Sequence, residues 1–99
     1  MKIKILSSAA QDLIEGYTFY ESQAEGIGNY FLDSLYSDID SLVITADIHP
    51  TYLNKYKRLL SKRFPFAVYY KLENNITYIY AVLDCRRNPA WVRKKLGSQ

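Results

Sequence analysis

Residues Arg63–Pro89 read RFPFAVYYKLENNITYIYAVLDCRRNP, two runs rich in Val, Ile, Tyr and Phe on either side of Asn74-Asn75. β-Branched and aromatic residues suit a pleated strand, and asparagine accepts the positive φ angles of a two-residue hairpin turn better than most side chains do. The stretch is therefore predicted to be one β-hairpin. A two-residue loop at Asn74-Asn75 sets Glu73 opposite Ile76. It then pairs Leu72 with Thr77, Tyr70 with Ile79, Val68 with Ala81 and Phe66 with Leu83. That register gathers an apolar core face from Phe66, Val68, Tyr70, Ile79, Ala81 and Leu83. The other face carries Lys71 across from Tyr78, Tyr69 across from Tyr80 and Ala67 across from Val82, a tyrosine and lysine surface able to live half in water. A slip by one residue would scatter the apolar set over both faces, so the segregation supports the turn.

Upstream, Tyr56–Lys62 is a third strand with poor alternation, because Leu59 and Leu60 are adjacent and basic residues occupy both parities. Pro65 has no backbone donor and belongs at the corner before Phe66. Asp47–Tyr52, which contains His49-Pro50, is expected to be a loop. Ala10, Leu13, Ile14, Tyr17, Tyr20 and Ala24 recur at helical spacing. Ser8 as N-cap with Gln11 would form a capping box, and Asp12 and Glu15 favour the positive end of that helix dipole. Gly26 and Gly28 end the helix, and a second runs from about Asn29 to Thr45 with Phe31, Leu32, Leu35, Ile39, Leu42 and Val43 on its apolar face. So short a connection makes the two an antiparallel hairpin. Lys2–Leu6 alternates as a short strand.

Downstream of Asp84, Asn88-Pro89 supplies an N-cap and a proline at the first helical position. Arg93, Lys94 and Lys95 complement the far end of the dipole before Gly97 stops the helix. Trp91 and Leu96 would anchor this helix to the body. The predicted fold is α+β in the order β-α-α-β-β-β-α. An N-terminal strand precedes a helical hairpin packed on an antiparallel sheet, a short C-terminal helix follows, and residues 1–99 form a single domain.

The apolar fraction of 48% is that of a globular chain and argues against disorder. No apolar run reaches the roughly 18 residues of a membrane helix, and MKIKILSSAAQ is too short in apolar residues for a signal peptide, so a cytoplasmic protein without membrane partners is expected. Cys85 and His49 are each the single residue of their type. That excludes an internal disulfide and a Cys cluster for zinc, and no metal or cofactor is expected. The net charge of +3 is unevenly spread. Every charged residue between Gln11 and Asp47 is acidic, whereas Lys55-Lys57-Arg58, Lys62-Arg63, Arg86-Arg87 and Arg93-Lys94-Lys95 make the second half basic. A basic half points to an anionic partner, nucleic acid or an acidic protein segment.

Two stretches carry a resemblance. DLIEGYTFYESQAEGIGNYFLDSL and RLLSKRFPFAVYYKLENNITYIYAVLDCRRNP together resemble the RelE/ParE superfamily of bacterial type II toxins, in particular its ParE-like, plasmid stabilisation branch, over nearly the whole chain. The resemblance implies a toxin neutralised by a cognate antitoxin that hides its working surface. It also implies one of two targets. ParE-like toxins poison DNA gyrase by binding it. RelE-like toxins cut messenger RNA on the ribosome with cationic side chains and sometimes a Tyr, His or Glu as acid or base. A third possibility is a non-toxic nucleic-acid or protein-binding module of the same fold. Where relatives frequently carry His after the AVL of the last strand, this chain has Asp84, whose ordinary pKa is too low for proton transfer near neutrality without burial.

The hairpin register brings Arg63 and Arg86-Arg87 to one corner beside Trp91, Arg93, Lys94 and Lys95, and this is the expected target-binding surface. Lys55, Lys57, Arg58 and Lys62 are expected to attract the antitoxin. For ribonuclease chemistry Arg63, Arg86 and Arg87 would supply the cations, and Tyr80, Tyr69, Tyr78 or Asp84 the proton transfer. Tyr titrates near 10 and needs help from a neighbouring Arg for that role. Most of these tyrosines are accounted for as strand formers on a half-exposed face. Likewise His49 reads as a loop residue and Cys85 as a packing residue, since neither has a motif partner.

Overall fold

Asn74 and Asn75 both take the left-handed backbone, φ 52° and 63°, and the hairpin that they close lies inside a five-stranded sheet. The structure, a computed structural model, describes residues 2–97. Its elements are β1 (Lys2–Ile5), α1 (Ser7–Gln23), α2 (Ile27–Asp40), α3 (Leu42–Thr45), β2 (Thr51–Tyr52), β3 (Tyr56–Leu60), β4 (Phe66–Glu73), β5 (Ile76–Asp84) and α4 (Pro89–Gly97). The sheet order is β1-β5-β4-β3-β2. β3, β4 and β5 are antiparallel neighbours as expected, β2 adds to the free edge of β3 in the same antiparallel sense, and β1 joins the outer edge of β5 in parallel.

β2 corrects the expectation of a loop over Asp47–Tyr52. Leu53 and Asn54, at φ 58° and 54°, make a second tight turn, closed by the Lys55 amide on the Tyr52 carbonyl at 3.3 Å. Thr51 and Tyr52 thereby pair with Lys57 and Tyr56. Two residues are too few to show an alternation.

Between the turn and Tyr70↔Ile79 the register of the β4-β5 hairpin is the predicted one. There it changes, because Tyr69 pairs with Ala81, Val68 with Val82, Ala67 with Leu83 and Phe66 with Asp84. Tyr80 is the extra residue of a β-bulge, and one extra residue reverses the parity of everything after it. Val82 therefore joins Phe66, Val68, Tyr70 and Ile79 in the core under the helices. Ala81 and Leu83, predicted for that core, lie on the opposite face with Ala67, Tyr69 and Tyr56. Near the turn that face is the half-wet surface expected, with Lys71, Tyr78 and Tyr80 half-buried, but beyond the bulge it is core. α4 covers it with Val92 and Leu96, and Tyr56 and Tyr69 are buried.

The helical hairpin forms as expected, with its phase shifted. Ala9, Asp12, Leu13 and Gly16 of α1 are buried, while Ile14 is 57% exposed. No side chain caps α1. The Ser8 hydroxyl donates instead to the Tyr80 carbonyl at 2.7 Å, and Gln11 donates to Glu15, so a tertiary contact replaces the predicted capping box. α2 begins earlier than expected because the Glu21 carboxylate accepts the amides of Gly26 and Gly28, Gly26 turning the chain at φ 90°. A Cβ on Gly16 would overlap the Phe31 ring, so the two helices meet at glycine. Phe31, Leu35, Ile39 and Leu42 are buried as predicted, while Val43 is 48% exposed. Asn88 caps α4 through the Ala90 amide at 2.7 Å. Among the described residues no helix is long and apolar enough to cross a membrane.

Candidate functional site

The far end of the hairpin is where the cationic residues were expected to gather, and its geometry follows from the bulge. Phe66 faces Asp84, and the Cys85 amide donates to the Pro65 carbonyl at 2.8 Å, which ties the start of β4 to the end of β5. Asp84 is clasped by the residue two positions on. Its Oδ1 accepts from the Arg86 amide at 2.9 Å and from Nε at 3.0 Å, and its Oδ2 accepts from Nη2 at 2.8 Å. This bidentate pairing holds the Asp84 carboxyl below the usual carboxylate range and strengthens the grip of Arg86 on its own proton. The Arg86 guanidinium also reaches the Tyr20 hydroxyl on α1.

Arg87 turns the other way. Its guanidinium lies over the Trp91 ring, 4.3 Å from the centroid, and the Lys95 ammonium is 5.8 Å from the same ring. Trp91 is held in turn by α4, whose far end is pinned by the Tyr56 hydroxyl donating to the Leu96 carbonyl at 3.0 Å. Arg63 is exposed in the bend between β3 and β4, and Arg93 and Lys94 are exposed on α4. The structure thus places the predicted cations around one end of the sheet but divides them, Arg86 toward α1 and Arg87 toward α4.

The predicted antitoxin set is divided further. The Lys57 ammonium donates to the carbonyls of His49 at 3.0 Å and Asp47 at 3.3 Å, stapling the loop before β2. Arg58, the next residue on the strand, lies over the Tyr52 ring at 4.7 Å and bonds Tyr69. Lys55 is exposed in the β2-β3 turn, and Lys62 offers its amide to the buried Asp38, which also accepts from Ser61. The candidate acids and bases are no better placed. Burial pushes the Tyr69 hydroxyl up, against the opposing pull of Arg58. Tyr80 packs on Tyr56, with the Lys71 ammonium 4.9 Å from its ring.

A groove beside this corner was not foreseen. It holds about 300 Å³ and lies between α1, contributing Asp12, Glu15 and Phe19, and the end of β5 with Arg87 and Trp91. Asp12, expected to serve the helix dipole, is 7% exposed, and its Oδ2 accepts the Val82 amide at 3.0 Å. Burial pushes its carboxyl up to about 6, against the opposing pull of that amide and of Lys95. The available signal was an acid standing between Ala9, Leu13 and Gly16 on the buried side of the helix.

Neither a family model nor a curated protein matches the chain. Its fold is similar to that of a solved structure described as the chromosomal ParDE TA system from P. aeruginosa, with a TM-score of 0.76 and 19% identity over 83% of this chain and 92% of that one.

Proposed function

We propose that the chain is the toxin of a type II toxin–antitoxin module. It stops growth by binding an essential target, DNA gyrase by its ParE-like resemblance, and is neutralised by a cognate antitoxin. The observation that carries this reading is the fold shared with the ParDE system along most of both chains. The chemistry of the corner agrees with binding rather than cleavage. Phosphoryl transfer from a 2′-oxygen needs a proton donor and acceptor poised near neutral pH. Asp84 is held ionised by Arg86, and Tyr69 is pushed away from neutrality by burial. Arg63, Arg86, Arg87, Trp91, Arg93, Lys94 and Lys95 remain the residues offered to the target, in two neighbouring cationic patches, of which the one with Arg87 and Lys95 has Trp91 as an aromatic centre of the kind that carries interface energy.

Purified chain incubated with gyrase and relaxed plasmid, beside a translating extract, tests the reading. Loss of supercoiling or trapped cleavage complexes, with message left intact, is the expected result. Cleaved ribosome-bound message with gyrase unaffected would replace it with the RelE-like reading. An absence of both effects and of growth arrest would leave a non-toxic binding module.

A further inference from the structure

α2 buries Phe31, Leu35 and Ile39 against the sheet and carries a second stripe on its outer side. Right-handed backbone continues through Ser41, α3 and Ala46. The Ser41 amide donates to the Ser37 carbonyl at 3.2 Å and the Thr45 amide to the Ser41 carbonyl at 3.1 Å, so helical spacing runs on past Asp40. Tyr36 and Val43 are half-exposed on that outer side, and Ile44 and Ile48 are 85% and 72% exposed. Soluble surfaces scatter such residues singly, whereas a contiguous apolar patch marks an interaction site.

Asp33, Asp40 and Asp47, all exposed, run between them. Seven-residue spacing turns each step by about 20°, so the three carboxylates form one line. Tyr36 and Val43 flank it on one side, Ile44 and Ile48 on the other, over about 22 Å from Asp33 to Ile48. The Lys57 ammonium reaches one end of the line through the Asp47 carbonyl at 3.3 Å. Among the described residues no cation pairs with Asp33 or Asp40. Asp40 is also the last residue of α2, whose last turn holds no basic side chain, and an acid there opposes the helix dipole.

These charges narrow the choice of occupant. A row of carboxylates repels nucleic acid and anionic lipid, and the same face of a second copy would bring like charges together. α4 of a second copy has the right sign through Arg93 and Lys94. It spans only nine residues, about 14 Å, and its Val92 and Leu96 are already buried, which leaves nothing to cover Val43, Ile44 and Ile48.

We propose that this stripe docks an amphipathic helix of another protein, about four turns long, with Arg or Lys at seven-residue spacing between flanks of Leu or Ile. Both the apolar flanks and the acidic line repeat at the period on which two packed helices stay in register. The stripe lies on the opposite side of the sheet from α4, so its occupant does not compete for the Trp91 patch. The proposal goes beyond the toxin reading and does not depend on it.

The probe is a fluorescein-labelled peptide of three Arg-Ala-Gln-Leu-Leu-Ala-Gln repeats, whose leucines flank a line of arginines on one helical face. Its anisotropy on titration with the intact chain should saturate with a Kd of roughly 1 to 100 µM and weaken about tenfold between about 0.05 M and about 0.5 M salt. The peptide with Glu in place of Arg should not bind, and one with its leucines scattered around the helix should bind about tenfold less tightly. Asp33→Asn and Asp40→Asn together should weaken binding about tenfold, and Ile44→Ser about fivefold. All three positions are exposed, so the core stays intact. Amide shifts in proton–nitrogen spectra of the complex should gather on α2 and α3. No saturable binding up to roughly 1 mM, equal binding of the scattered peptide, unchanged affinity in both variants, or shifts confined to α4 and the β4-β5 hairpin would overturn the proposal.

Discussion

Asp12→Asn is the substitution whose effect on stability can be worked most directly from the structure. Asparagine keeps the shape of the side chain and an oxygen for the Val82 amide, and it removes the charge. In the folded chain the Asp12 carboxyl titrates at about 6 instead of 3.8. At roughly 1.4 kcal/mol for each pH unit, the ionised form costs the fold up to about 3 kcal/mol. Because the folded value lies above the unfolded one, the native state holds the proton more tightly. The stability that this group contributes is fully present below pH 3.8, is lost as pH rises toward 6, and stays lost above it. Asp84, with its pKa lowered, runs the other way and loses its contribution as the pH falls. The difference between the wild-type chain and Asp12→Asn isolates the first effect from the second.

Urea melts of both chains from pH 4 to pH 8 provide the measurement. Asp12→Asn should be more stable by about 1 to 3 kcal/mol at pH 7, the lower figure allowing for a charged acceptor being stronger than a neutral one. The gap should close toward pH 4. A gap that is the same at both ends of the range, or a variant less stable than wild type at pH 7, would show that burial does not dominate at Asp12.

Leu35→Ala and Val68→Ala remove side chains that are fully buried between the helices and the sheet. Each should cost about 2 to 4 kcal/mol in the same melts, and a change under about 0.5 kcal/mol would refute the core assignment of that residue. Leu53→Gly should stabilise the fold by about 1 kcal/mol, since leucine at φ 58° in an exposed turn carries strain that glycine does not. An unchanged or lowered midpoint refutes that account. Charge reversal of Arg86 and Arg87 together should abolish growth arrest with the fold intact by circular dichroism, whereas Tyr69→Phe and Tyr80→Phe should leave arrest unchanged. Arrest that survives the double reversal would move the working surface elsewhere.

What the sequence made legible was local. Asn74-Asn75 is a turn because few residues with a side chain tolerate two successive positive φ values. Asn88-Pro89 is a helix start because the cap is supplied by its own side chain. Phe31, Leu35, Ile39 and Leu42 recur at helical spacing and are buried. The α1 stripe is out of phase with the buried face, because Ile14 and Tyr17 are apolar enough to fit a neighbouring phase. The buried positions Ala9, Asp12 and Gly16 include an acid and a glycine that hydropathy passes over. The partner of Asp12 lies 70 residues away. Nothing near Asp12 in the chain announces Val82.

The bulge at Tyr80 carries no residue signature either, since it contains neither glycine nor proline, yet it arranges the whole corner. A regular ladder would turn Ala81 and Leu83 toward the helices. The extra residue turns Val82 and Asp84 there instead, and leaves Ala81 and Leu83 to pack under α4. The Ser8 hydroxyl takes the Tyr80 carbonyl, and Asp12 takes the Val82 amide, on either side of the irregularity. α1 thus satisfies backbone groups of β5 just past the residues that pair with β1. Asp84 emerges on the side of Tyr20 with Arg86 clasped to it, and Arg87 falls to the side of Trp91. The division of two adjacent arginines between two faces is therefore a consequence of where one helix binds one strand, and it is why a surface that sequence spacing gathers into a single cluster is built as two.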